Sequence, residues 1–179
     1  MKKSILRFSA CAVLVAFAFA GVASAEAPAS IDVAKAQPRS EIIGDWLVAC
    51  EAPVKGRKSC GLSQTLVSEK LKTTVGMLTI GRDQTGKLKG SLRLPVGVSL
   101  PEGVVVDLEN QARLTVPYAA CHRAACFASF DLTEPILAQV RKASKISATV
   151  QSTSKMPLNL TFSTRGFPDA YAAYVKESK

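Results

Sequence analysis

The segment CHRAAC, residues 121–126, sets Cys121, His122, Arg123 and Cys126 side by side, and His122 is the only histidine of the 179-residue chain. Such a set could ligate a metal, exchange dithiol for disulfide, pair a nucleophile with its base, or staple two strands. Each chemistry has its own spacing. Dithiol oxidoreductases place C-x-x-C at a helix N-terminus, where the dipole lowers a thiolate pKa; here four residues separate the cysteines and the flanks alternate like strands. A covalent haem site needs histidine directly after the second cysteine, whereas His122 follows the first. Structural zinc needs close ligand pairs at both ends, and the remaining pair, Cys50 and Cys60, is nine residues apart. A hydrolase would have to use His122 from inside a four-residue loop, with no G-x-S-x-G to supply the nucleophile. Asp107 and Glu109 alternate near a strand end, where carboxylates are usually solvated rather than paired for acid–base work. The staple remains, with His122 and Arg123 exposed at its tip. No catalytic residue, metal ligand or cofactor is expected.

What a cysteine does depends on its compartment. Lys2, Lys3 and Arg7 precede the apolar stretch CAVLVAFAFAGVA, which is too short for a stable span, and ASA at residues 23–25 supplies the small residues of a cleavage site. Residues 1–25 therefore read as a signal peptide cut after Ala25. Cys11 starts the apolar run instead of following it, so it leaves with the signal and is not lipidated. The remaining 154 residues suffice for one domain and contain no further candidate span. An exported protein results, periplasmic or outer-membrane associated, or secreted.

Without Lys2, Lys3 and Arg7 the chain keeps 20 basic residues against 14 acidic ones, a net charge of +6. The densest basic spots are KGRK (residues 55–58), KLK (87–89) and RKASK (141–145), and no aromatic residues interleave them. A nucleic-acid groove is thus not expected. Lys55, Arg57 and Lys58 form the candidate surface for an anionic partner.

The elements that must position these residues are mostly strands. Residues 26–40, EAPASIDVAKAQPRS, show no apolar period and read as a flexible lead-in, leaving a single domain at 41–179. DWLVAC alternates Trp46, Val48 and Cys50; CGLSQTLV alternates Cys60, Leu62, Gln64 and Leu66; LKGSLRL alternates Leu88, Gly90, Leu92 and Leu94. TTVGMLTI is apolar enough for a central strand. RLTVPY and CFASFDL read as two strands joined through CHRAAC. Two segments are helical instead. LTEPILAQVRKA has Thr133 as its cap and Ile136, Leu137 and Val140 on one face; PDAYAAYVKE offers Ala170, Tyr171, Tyr174 and Val175 for docking. Eight to ten short strands with two short helices predict a mainly β fold, an antiparallel β-sandwich, with a β-barrel as the alternative. Trp46 is expected between the sheets.

Four cysteines in an exported chain favour two disulfides, for which three pairings exist. Local pairs close small loops worth roughly 2 to 3 kcal/mol each, and a long-range pair roughly 4 kcal/mol, so loop entropy does not choose. Hairpin proximity favours Cys50 with Cys60 and Cys121 with Cys126.

The blocks GDWLVACE, CGLSQTLV, LRLPVGVSLPEGVVVDL, YAACHRAACFASFDL and STRGFPDAYAAY, in that order, resemble the invasion-associated locus B family of exported bacterial proteins. The resemblance runs from Gly44 to about Tyr174. It marks Trp46, Cys50, Cys60, Gln64, Cys121, Cys126, Gly166 and Phe167 as family positions. It implies an envelope-associated, non-enzymatic protein linked to host-cell invasion, and it brings no catalytic residues. The basic loops and sheet faces fit an interaction protein that binds an unknown protein, glycan or anionic surface. A periplasmic ligand-binding domain or an enzyme whose site is assembled from distant residues is the alternative.

Overall fold

The structure, a computed structural model, describes residues 38–52, 58–109 and 112–178. Eleven strands and two helices follow one another along these residues: β1 (Arg39–Ile43), β2 (Trp46–Cys50), β3 (Cys60–Ser68), β4 (Thr73–Arg82), β5 (Leu88–Leu94), β6 (Val104–Asp107), β7 (Arg113–Val116), β8 (Tyr118–His122), β9 (Ala125–Asp131), α1 (Glu134–Lys142), β10 (Lys145–Gln151), β11 (Pro157–Ser163) and α2 (Phe167–Glu177). The strands form two open antiparallel sheets, a large one ordered β1-β2-β3-β4-β5-β9-β8 and a small one ordered β11-β10-β6-β7. Among the described residues both sheets end in unpaired edges, so the fold is a sandwich and not a closed barrel.

The two-residue period explains which face each strand buries. Trp46 and Val48 of β2, Leu62 of β3, Leu78 and Ile80 of β4, and Leu92 and Leu94 of β5 point inward. They meet Val104, Val106, Ile146, Ala148, Val150, Leu160 and Phe162 of the small sheet in one core. Gly76 of β4 lies where any Cβ would come 3.0 Å from Leu160, so a bare backbone there lets the sheets approach. α1 and α2 add Leu137, Val140, Phe167, Ala170 and Tyr174 to the same core, and the Arg141 guanidinium lies 5.1 Å from the centre of the Tyr171 ring, linking the helices.

Three features depart from the sequence reading. Arg39 and Ser40 belong to β1 rather than to a lead-in ending at Ser40, because they pair with Cys50 and Ala49 across a tight turn at Gly44 and Asp45. RLTVPY is not one strand. β7 pairs with β6 in the small sheet, and after Pro117 the chain enters the large sheet as β8, where it pairs with β9. Thr133 occupies the N-cap position of α1, yet its side chain makes no capping hydrogen bond; proline at the start of the helix removes one of the donors it would serve.

Candidate functional site

The family positions Trp46, Gln64, Gly166 and Phe167 converge on one joint, where the β1–β2 turn meets the turn between β11 and α2. Trp46 is fully buried, its indole N–H donates to the Ser163 carbonyl at 3.1 Å, and its ring meets Phe167 edge-on at 5.2 Å. Gln64 uses both ends of its amide. Nε2 donates to the carbonyls of Asp45 (3.0 Å) and Ser163 (3.2 Å), while Oε1 accepts the Ser163 N–H at 2.7 Å. Ser163 ends β11, which is an edge of the small sheet, so Trp46 and Gln64 satisfy backbone groups that no further strand among the described residues pairs.

Around this centre the two turns are tied directly. Asp45 N–H donates to the Arg165 carbonyl at 3.1 Å, and the Arg165 guanidinium forms a two-pronged ion pair with the Asp45 carboxylate. That pairing, with a further hydrogen bond from Ser163, lowers the Asp45 pKa from its ordinary value. Gly44 and Gly166 adopt left-handed conformations, φ 61° and 78°, and lie back to back. A Cβ on Gly166 would fall 2.8 Å from the Gly44 Cα and from the Ile43 carbonyl oxygen, so both conformation and space require glycine here. Every polar group of the joint is engaged in holding the small sheet, the large sheet and α2 together, and the geometry is that of a structural lock.

The cysteines form two cross-strand links. Cys50 and Cys60 stand directly opposite in β2 and β3, and their sulfurs are bonded; Cys121 and Cys126 do the same in β8 and β9. His122 and Arg123 are exposed at the tip of the second hairpin, and the His122 ring meets Phe127 edge-on at 5.9 Å. Among the described residues no three His, Cys, Asp or Glu side chains approach closely enough to share a metal ion. Asp107 and Glu109 do not work as a pair. Glu109 accepts from the Ser144 backbone N–H (2.6 Å) and hydroxyl (2.7 Å), fixing the chain after α1, and this lowers its pKa; Asp107 lies 3.9 Å from Arg113.

Of the candidate basic surface, Lys55 and Arg57 lie outside the described residues. Lys58 is not available as a free cation: its ammonium donates to Glu177 at 2.7 Å and anchors the C-terminal end of α2 beside β3. Arg39 approaches the same carboxylate at 3.5 Å, and the two cations, Lys58 foremost, lower the Glu177 pKa. Glu177, Arg39, Glu41 and Lys176 line a cleft of about 330 Å³ between β1 and α2.

The helices pack toward the inner side of the large sheet, leaving its outer face open. A trough of about 380 Å³ runs across it, floored by Gly61, Gly81, Ser63, Thr79 and Ser91. Ser63, Thr79, Ser91 and Ser129 stand opposite one another across four strands. Beside them runs a second row, Thr65, Met77, Arg93 and Phe127. At the β1–β2 end, Ile42 and Leu47 oppose each other and are 76% and 38% exposed. Sequence reasoning missed this face. The alternation of LKGSLRL puts Lys89, Ser91 and Arg93 on one side of β5, but nothing in it tells which neighbours each one meets.

Fold and joint together define a two-disulfide β-sandwich whose C-terminal helix is locked to its first hairpin. Residues 46–175 match the Invasion associated locus B (IalB) protein family, and the chain belongs to it. The chain is 24% identical over 157 residues to the Invasion protein B homologs of two Brucella abortus strains, 2308 and biovar 1 strain 9-941; each match covers 87% of this chain and 90% of the relative. The crystal structure of invasion associated protein B from Bartonella henselae shares the fold, with a TM-score of 0.69 at 20% identity over 77% of this chain and 95% of that one. Among the described residues no helix is long and apolar enough to cross a membrane.

Proposed function

We propose that this protein is exported to the cell envelope and contributes to host-cell interaction by binding, through a sheet face, rather than by catalysis. The observation that carries the reading is the outer face of the large sheet, where Ile42 and Leu47 are exposed and Met77 and Phe127 half-buried around a row of hydroxyls. Adjoining exposed apolar side chains, unlike scattered ones, mark contact surfaces, and Ile42 and Leu47 stand directly opposite each other. Membership of the invasion-associated family and the names of the Brucella and Bartonella relatives support a role at the host interface. The candidate polar groups elsewhere point the same way, since Trp46, Gln64, Asp45, Arg165 and Glu109 are each occupied in holding the fold.

The signal-like first 25 residues and the two disulfides support export. The test is binding of the purified protein to host-cell membranes, compared with a variant carrying Ile42→Ser and Leu47→Ser. Wild-type binding that the double variant loses, at unchanged melting temperature, is the expected result. Absence of wild-type binding to any host membrane tested would refute the proposal.

A further inference from the structure

We infer that the outer face of the large sheet, centred on Arg93, docks a partner protein that presents an Asp or Glu carboxylate flanked by apolar side chains. This rests on the binding reading above and assigns it a central residue and a partner chemistry. β5 carries two cations on its outer side, and they differ in one respect. The Lys89 ammonium donates to Asp131 at 2.6 Å and lies 3.9 Å from Asp83, so its charge is matched within the protein. The Arg93 guanidinium, four residues on, makes no hydrogen bond or ion pair among the described residues. Its cross-strand neighbours are Met77 and Phe127, its neighbour along β5 is Ser91, and Thr79 and Ser129 stand diagonally beside it. None of these is acidic.

A guanidinium carries five donors in a planar fork that fits a carboxylate through two parallel hydrogen bonds. Arg93 is half-buried, with Met77 and Phe127 as its cross-strand neighbours, so apolar side chains flank its stem. An incoming carboxylate would complete its coordination in an environment drier than bulk water, where such a pair gains strength. The surroundings favour protein over other ligands. Arginine, methionine and aromatic residues are the types enriched in protein interfaces, and the Ile42–Leu47 pair supplies aliphatic contact at the far side of the trough. The trough lies beside Arg93 rather than under it: it shares Met77 with the Arg93 row and is lined further on by Lys89, Asp83 and Glu51, while the Ser91 and Ser129 hydroxyls, 3.2 Å apart, offer polar contacts next to Arg93. A sugar platform would need an open aromatic face, whereas Phe127 is half-buried and met by His122. An anionic bilayer would need several unmatched cations side by side, and among the described residues β5 offers Arg93 alone, Lys89 being held by Asp131.

The experiment uses the purified protein and its Arg93→Gln and Arg93→Lys variants. A random peptide display library is selected on the wild type, and the selected peptides are titrated against all three. The expected result is enrichment of peptides with Asp or Glu beside apolar residues, about tenfold or greater loss of affinity in Arg93→Gln, and partial recovery in Arg93→Lys, which keeps the charge but not the fork. Melting temperatures should stay at the wild-type value, because the Arg93 guanidinium has no partner among the described residues to lose. Peptides without acidic residues, or peptides that bind Arg93→Gln as well as wild type, would overturn the inference, as would sialylated or uronate oligosaccharides binding this face where peptides do not. Host-membrane binding that persists in Arg93→Gln would overturn the Arg93 site while leaving the binding function standing. Arg93-dependent peptide selection without host-membrane binding would do the reverse.

Discussion

Trp46 and Gln64 owe their importance to one backbone segment, the end of β11, whose outward groups have no neighbouring strand. Truncating Trp46 removes a fully buried ring, its contact with Phe167 and a hydrogen bond to Ser163. Trp46→Ala is therefore expected to destabilise the domain by about 3 to 5 kcal/mol, measured by urea unfolding. Gln64→Leu keeps the volume but orphans the Ser163 N–H and the Asp45 carbonyl, a loss of about 1 to 3 kcal/mol on the same assay. If Gln64→Leu is neutral, water must reach Ser163 and the joint is looser than its geometry indicates. Gly166→Ala tests the back-to-back glycines. A methyl group there meets Gly44 and Ile43 backbone in a left-handed conformation, so this variant should lose more stability than an alanine at Gly86, where φ is also positive but nothing lies within 4 Å.

At the scale of elements, the two disulfides sit in different mechanical settings. β8 is an edge strand held on one side by β9, so opening Cys121–Cys126 releases a hairpin whose other face is solvent. β2 and β3 are interior strands covered by α2, and Cys50–Cys60 closes the loop between them. On loop-closure entropy the two losses are similar, roughly 2 and 3 kcal/mol. They should be distributed differently. Cys121→Ser with Cys126→Ser is expected to speed amide exchange chiefly in residues 118–131, whereas Cys50→Ser with Cys60→Ser should lower protection across the large sheet. Equal and global loss in both would show that β8 is as firmly built in as β2. The alternation of WLVAC and LKGSLRL made such strands legible, because one face of each is buried and the two-residue period survives. β1 was not legible: RSEII lays Arg39 and Glu41 against the cleft beside α2, so its inward residues are charged. Nor was the change of sheet at Pro117, since alternation within a strand says nothing about which sheet it joins.

Across the whole molecule, four carboxylates tie segments far apart in the chain, and composition alone could not reveal them because each pairing is a tertiary event. Asp45 and Arg165 are separated by 120 residues, Glu177 and Lys58 by 119, Asp131 and Lys89 by 42, and Glu109 and Ser144 by 35. Each carboxyl has its pKa lowered, chiefly by the Arg165 hydrogen bond for Asp45, the Lys58 hydrogen bond for Glu177, the Lys89 hydrogen bond for Asp131 and the Ser144 hydroxyl for Glu109. A carboxyl whose folded pKa lies below its unfolded one binds fewer protons when folded. Its contribution is complete above the unfolded value, about 4, and is lost as pH falls through the folded value. Acid also raises the net positive charge of an already basic chain, and self-repulsion acts in the same direction. Thermal unfolding should thus be nearly independent of pH between about 7 and 5 and fall steadily below about 4. Asp45→Asn removes one of the four contributors and the lock's ion pair together. Its melting temperature should lie below wild type at neutral pH and converge toward it in acid. Parallel curves for the two proteins down to pH of about 3 would mean that the Asp45–Arg165 pair contributes nothing that depends on its charge, and that the backbone bond from Asp45 to Arg165, the Trp46–Phe167 contact and the hydrogen bonds of Trp46 and Gln64 to Ser163 hold the joint without it.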